Sequence, residues 1–167
     1  STPLYSSAAS DVYKRQRELD ATTCRQLLGT QRVGRIAFAD DPSPTVLPVD
    51  YVLHGDEVLF RTLEGAKLDA AEAGAMASFQ ADGFDASHDT GWSVLVRGRL
   101  DVLTDLDADR ARAVERLHPL AGGDRPHVVR LAIESATGRR VAQDPDWVRA
   151  HLTTNAWTDR DASDLLG

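Results

Sequence analysis

Between Val33 and Thr62 the chain writes three strands into about thirty residues, and this crowding most restricts the folds open to it. Val33-Gly34-Arg35-Ile36-Ala37-Phe38-Ala39 alternates in strand fashion. Asp40-Asp41-Pro42-Ser43-Pro44 is a turn cluster, Thr45 to Leu53 is rich in β-branched and apolar residues, and His54-Gly55-Asp56 closes a hairpin into Glu57 to Thr62. The unit is an antiparallel meander.

The flanking segments extend it. Leu19, Cys24, Leu27 and Leu28 recur at helical spacing with Asp20 or Thr22 as a cap, so residues 20–29 read as a short helix ended by Gly29. An Ala-rich helix follows the meander from Lys67 to Ala75. Strand patterning resumes at Met76 to Asp82 and Trp92 to Leu103, across a polar loop, Gly83 to Gly91, placed to cover a site. A further helix is predicted over Leu106 to Leu117, and Pro126 to Glu134 and Gly138 to Ala142 read as two closing strands. Many short antiparallel strands with a few short helices predict a mainly β protein, a small barrel rather than a doubly wound sheet. Residues 1–16, rich in Ser, Ala and Thr and without a sustained period, are expected to be a non-native or disordered leader. The domain is expected over 17–143, and 144–167 reads as a polar tail with a short helix.

Charge and cysteine content narrow the function classes. With 19 Lys plus Arg against 26 Asp plus Glu, the chain carries a net charge of -7 and no long basic run, which argues against nucleic acid or an anionic membrane as partner. No stretch approaches the roughly 18 apolar residues of a membrane-spanning helix. One cysteine, Cys24, builds neither a disulfide framework nor a thiolate metal site, so a cytoplasmic setting is expected. The five histidines show no metal-ligand spacing, and no metal is expected. There is no Gly-x-Ser-x-Gly elbow, no dinucleotide fingerprint and no P-loop. The usual catalytic side-chain sets are missing, so no catalytic residue is assigned. Chemistry on such a chain would have to come from a cofactor, with the protein supplying binding and orientation.

Val58-Leu59-Phe60-Arg61-Thr62-Leu63-Glu64-Gly65-Ala66-Lys67 offers a place for one. An alternating strand delivers Arg61 and Thr62, Gly65 makes a turn, and Lys67 opens a helical stretch. A guanidinium, a hydroxyl, an ammonium and unpaired backbone N–H groups together suit a phosphate. Only Lys14 and Lys67 are lysines in a chain that otherwise uses arginine, which singles out Lys67. The alternative is a strand end with ordinary surface charges.

The order of these features resembles the pyridoxamine 5'-phosphate oxidase-like flavin-binding split barrels, especially the branch that includes nitroimidazole-resistance proteins. The matching segments run from Leu19 to about Val141: Val33 to Phe38, Leu47-Pro48-Val49-Asp50-Tyr51-Val52, Leu59-Phe60-Arg61-Thr62 with Gly65 and Lys67, Gly91-Trp92-Ser93-Val94-Leu95-Val96-Arg97-Gly98, and His127-Val128-Val129-Arg130-Leu131. The resemblance implies a six-stranded antiparallel split barrel that forms a homodimer, with FMN in clefts between the subunits. It places Leu47, Pro48, Val49 and Asp50 along the isoalloxazine ring, Arg61, Thr62 and Lys67 at the phosphate, and Trp92 and Ser93 against the flavin, often across the dimer. For Trp92 the residues alone leave plain core packing open as well.

Two departures stand out. Many relatives have Arg-Lys where this chain has Ala66-Lys67, one phosphate charge fewer. The C-terminal Trp and Arg of the pyridoxal-phosphate-making enzymes have no clear counterpart; Arg139 and Arg140 stand nearest. The expected function is thus an FMN-dependent oxidoreductase moving hydride to or from a small molecule. The Lys-poor, Arg-rich composition resembles that of high-GC actinobacteria, where such barrels also use a deazaflavin coenzyme, the second reading. The third is a non-catalytic flavin-binding or interaction barrel.

Overall fold

The computed structural model describes residues 16–85, 90–118 and 123–142. In chain order they form β1 (Gln16–Leu19), α1 (Ala21–Leu28), β2 (Val33–Phe38), β3 (Thr45–His54), β4 (Glu57–Thr62), α2 (Ala66–Glu72), β5 (Met76–Asp85), β6 (Thr90–Leu103), α3 (Ala108–Glu115) and β7 (His127–Ala142). All pairings are antiparallel. The order β7-β4-β3-β2-β5-β6 closes on itself because β6 also pairs with β7, giving a six-stranded barrel with three short helices. No helix among the described residues is long and apolar enough to cross a membrane.

Alternation along the strands fills the barrel. Ile36 and Phe38, Val49 and Tyr51, Val58 and Phe60, Ala77 and Phe79, and Val94 and Val96 all point into one buried cluster. Residues i and i+2 share a face of a strand, so each strand contributes every second side chain. At its centre the rings of Tyr51 and Phe79 meet edge to face, 4.7 Å between centroids. Helix α1 closes one side. Asp20 caps it by accepting a 2.7 Å hydrogen bond from the Thr23 N–H, Cys24 and Leu28 enter the core, and the Tyr51 hydroxyl donates to the Leu28 carbonyl.

Strand β4 departs from simple alternation because both of its faces are covered. Val58, Leu59 and Phe60 are all fully buried. Leu59 turns outward into a second cluster with Ala113, Val114, Leu117 and Val128, which seats α3 on the outside of the barrel. Glu57 fastens the same contact. Its carboxylate accepts two hydrogen bonds from Arg110, at 2.7 and 2.9 Å, and a third from Arg130 at 3.2 Å.

The structure corrects the sequence reading in several places. The two closing strands are one, β7, running through Ser135 to Thr137. Opposite it the register slips between Arg97 and Gly98, leaving Glu134 without a partner on β6. A bulge of this kind resets the alternation, so one strand reads as two. The polar loop is shorter than expected, since Gly83 to Asp85 and Thr90 to Gly91 are already paired strand. Gln16, assigned to the leader, pairs with Val141 in β1, a strand that four residues without an apolar period did not announce. The rest of the leader and the expected tail lie outside the described residues.

Candidate flavin site

The barrel opens between β3 and β4. Their ladder covers only Tyr51 to His54 on β3 and Glu57 to Phe60 on β4. From Thr45 to Asp50, β3 pairs with β2 on one side alone, so among the described residues its other backbone edge has no strand partner. Pro48 is tolerated there because an edge does not need every N–H. Arg61 and Thr62 continue β4 past the divergence, held from the opposite side by Val128 and His127 of β7. The four ring-contact candidates and two of the three phosphate candidates thus line opposite sides of the split.

Within β3 the side chains divide. Val49 is buried in the core and Leu47 packs against it, whereas Pro48 is exposed. Asp50 is only 8% exposed, and its carboxylate is already engaged: Oδ2 accepts the His118 backbone N–H, and Arg32 Nη2 stands 3.8 Å from Oδ1. That bond ties the end of the α3 segment to β3. What this stretch offers a ligand across the split is its backbone, with Asp50 fixing it in place.

The phosphate candidates lie on the segment where β4 ends and α2 begins, with β7 entering alongside β4. Strand alternation sends Arg61 and Thr62 to opposite faces. Thr62 is 2% exposed, on the same face as Phe60, and its hydroxyl donates to the Leu63 carbonyl at 3.0 Å. Arg61 lies on the Leu59 face, and its Nε is buried without a hydrogen-bond partner among the described residues. A buried donor left unpaired costs free energy, here as at Arg130, whose Nε is likewise unpartnered among the described residues. Lys67 is half-buried in the first turn of α2, and burial pushes its pKa down, with the nearby Arg125 charge adding to the effect. Gly65 leads into α2 at φ 127°, a backbone region essentially restricted to glycine.

Arg125 escaped the sequence reading. Its only signal was position, one residue before the predicted strand that begins at Pro126. What makes it part of the site is the β4–β7 register, which no local pattern encodes.

Trp92 and Ser93 lie elsewhere on the chain. Trp92 sits opposite Gly83 on β5, where the indole occupies the space a side chain would need; its Nε1 would stand 2.5 Å from an added Cβ. Trp92 also packs against the main core cluster. Ser93 is exposed and lines a cavity of 540 Å³ with Glu18, Leu19, Leu95, Arg97 and Arg139. On β7, Arg61 faces Val128 and Ser93 faces Arg139. Eleven positions at about 3.3 Å each make roughly 36 Å of strand between them.

Comparison with known proteins agrees with this architecture. The family model for pyridoxamine 5'-phosphate oxidase matches residues 20–140. The uncharacterized protein Rv0080 of Mycobacterium tuberculosis is 32% identical over 132 residues, 76% of this chain and 86% of that protein. The FAD-binding protein of Mycobacterium smegmatis is 38% identical, with a TM-score of 0.60 over 74% of this chain and 97% of that one. An FAD-binding protein of Mesorhizobium loti is 27% identical, with a TM-score of 0.64 over 77% of this chain and 98% of that one. The matched region takes in the whole meander, the split and the strands that close the barrel, and the chain belongs to the pyridoxamine 5'-phosphate oxidase family of split barrels.

Proposed function

We propose that this chain is a flavin-dependent oxidoreductase working as a homodimer, with each cofactor held between two copies. The observation that carries the reading is the split. Among the described residues, β3 from Thr45 to Asp50 has an edge without a strand partner, next to the point where β4 carries Arg61, whose buried Nε has no acceptor among those residues. An acceptor-rich phosphate suits that guanidinium and Lys67, and the polar edge of a flavin ring suits open strand backbone. The FAD-binding relatives at 38% and 27% identity favour a flavin over other phosphorylated planar ligands.

Spacing along β7 favours the dimer. The register positions on β7 that face Trp92 and Ser93 lie eleven or twelve residues from the one that faces Arg61, which favours their serving the site of a second copy. The apolar side chains Val46 and Met76, 59% and 47% exposed on the outer barrel wall, would gain from such a partner.

A bound flavin supplies hydride transfer at its N5. The chain's own residues then bind and orient: Arg61 and Lys67 anchor the phosphate, the β3 backbone fixes the ring edge, and Trp92 shields a face from water. No protein acid or base is needed for hydride transfer, which accords with the missing catalytic sets.

Purified protein should be yellow, and the mass of the heat-released cofactor separates FMN, FAD and a deazaflavin. Colourless protein that takes up none of the three would overturn the reading. Light scattering on dilution should give twice 18.2 kDa. A monomer that retains flavin would remove the dimer.

A further inference from the structure

We infer that the cavity where the end of α1, β3 and the end of α3 meet binds a small organic carboxylate with an apolar body, as the second ligand of the flavin site. The binding itself is independent of the flavin; its place beside the ring rests on the flavin reading above. The cavity measures 410 Å³, and its lining includes Arg32, Asp50, Val52, Leu53, Arg116 and His118. Hydrogen bonds build its walls. The Tyr51 backbone N–H donates to the Arg32 carbonyl at 2.9 Å and the Tyr51 hydroxyl to the Leu28 carbonyl, which lashes the segment after α1 onto β3. On the other side Leu117 is buried in the second cluster and the His118 N–H donates to Asp50 Oδ2, which holds Arg116 and His118 at the end of α3. The His118 ring is fixed as well, its Nδ1 2.9 Å from the Arg116 carbonyl oxygen.

Charge selects the ligand. Two arginines and one aspartate line the cavity, one positive charge in excess on a chain whose net charge is -7. The aspartate is already answered, since Asp50 Oδ2 accepts the His118 N–H and Arg32 Nη2 stands 3.8 Å from Oδ1. At that distance Arg32 makes no hydrogen bond to Asp50, so its donors stay open. The Arg116 side chain has no hydrogen bond or ion pair among the described residues. One charge in excess matches one carboxylate, which a guanidinium takes as a planar fork, and falls short of a phosphate dianion. Val52 and Leu53 add apolar surface for the rest of the molecule. Asp50 also ends the stretch of β3 that has no strand partner on its β4 side, so the cavity adjoins the backbone assigned to the ring.

The test titrates the full chain, loaded with its flavin, with benzoate and with benzamide, which has nearly the same shape without the charge, and follows calorimetric heat and flavin absorbance. Arg32 is 69% exposed and screened by water, so the affinity should be modest, with a benzoate dissociation constant near or below about 1 mM and benzamide at least about tenfold weaker. Arg116→Gln should weaken benzoate about tenfold at an unchanged melting temperature, because no other group depends on that side chain. Arg112→Gln removes an equal charge from α3 outside the cavity lining and should leave benzoate binding as it was. Bound benzoate should shift the flavin absorbance band. Equal affinity for benzoate and benzamide overturns the inference, and so does the same loss in Arg116→Gln and Arg112→Gln. An unshifted flavin band at saturation removes the place beside the ring. A chain that binds benzoate but no flavin defeats the flavin reading and keeps the cavity; one that binds flavin but no benzoate does the reverse.

Discussion

At Gly34, Gly98 and Gly138 in the barrel wall, an added methyl group would stand 2.1 Å from the Phe79 ring, 1.7 Å from the Ala132 carbonyl oxygen and 2.6 Å from Cys24 Sγ, whereas at Gly65 nothing lies within 4 Å. The wall uses glycine to let other groups in: an aromatic ring, a neighbouring backbone, a helix side chain. The cationic end uses it to turn the chain at φ 127° and leave space. The polar groups divide in the same way. Asp50, Glu57 and Tyr51 have their hydrogen bonds made within the chain. Arg61 Nε does not, and Lys67 is held beside a like charge. The contrast is one of degree, since Arg130 Nε beside Glu57 is also buried without a partner among the described residues.

The largest effect should come from breaking the wall. Gly98→Ala drives a methyl group into backbone at the β6–β7 slip, where no side-chain rotation relieves it. The cost should exceed about 3 kcal/mol, beyond the usual range for overpacking. Denaturant unfolding measures it, and a loss below about 1 kcal/mol would mean that the β6–β7 seam yields easily.

Glu57→Gln tests the wall's outer fastening. The Arg110 hydrogen bonds, and after them the one from Arg130, hold the Glu57 carboxyl below its ordinary value of 4.5. A carboxyl with a depressed folded pKa contributes stability above its unfolded value and loses it as pH falls through the folded one. At pH 7 the variant should be about 1–2 kcal/mol less stable, under the cost of breaking a fully buried pair because Arg110 is partly exposed. The gap should narrow as pH drops below 4.5. A gap unchanged at acid pH would assign the effect to packing instead.

These two regions also differed in how far the sequence disclosed them. The wall was largely legible. Ile36, Phe38, Phe60, Phe79, Val94 and Val96 alternate, and period two is a local signal that the barrel interior merely collects. Legibility failed where structure depends on pairing at a distance. Glu134 looks like the end of a strand until β6 shows that it is a bulge. Gln16 to Leu19 become a strand only because β7 offers an edge. At the site, Arg61 and Lys67 could be picked out from composition and spacing, yet Arg125 could not, since it joins them through register. The resemblance alone places Asp50 along the ring, and its buried partner, the His118 N–H, comes from a segment 68 residues away.

Lys67→Ala sharpens the comparison from the other side and should disturb the fold least. The substitution removes a half-buried cation whose charged form is disfavoured by burial and by the Arg125 charge, and alanine is the best helix former at a position in the first turn of α2. Stability should therefore hold or rise slightly, the reverse of what Gly98→Ala does in the wall. Binding should move the other way. Loss of one charge-assisted contact to phosphate should weaken FMN by about ten- to a hundredfold, while riboflavin, which has no phosphate, should change far less. The ratio of the two affinities isolates the contact from general damage. Equal weakening of FMN and riboflavin would make Lys67 part of the scaffold, and no change in either would return Arg61 and Lys67 to surface charges beside a helix start. The expected pattern, unchanged folding with a phosphate-specific loss of binding, is what a residue set aside for a ligand should give.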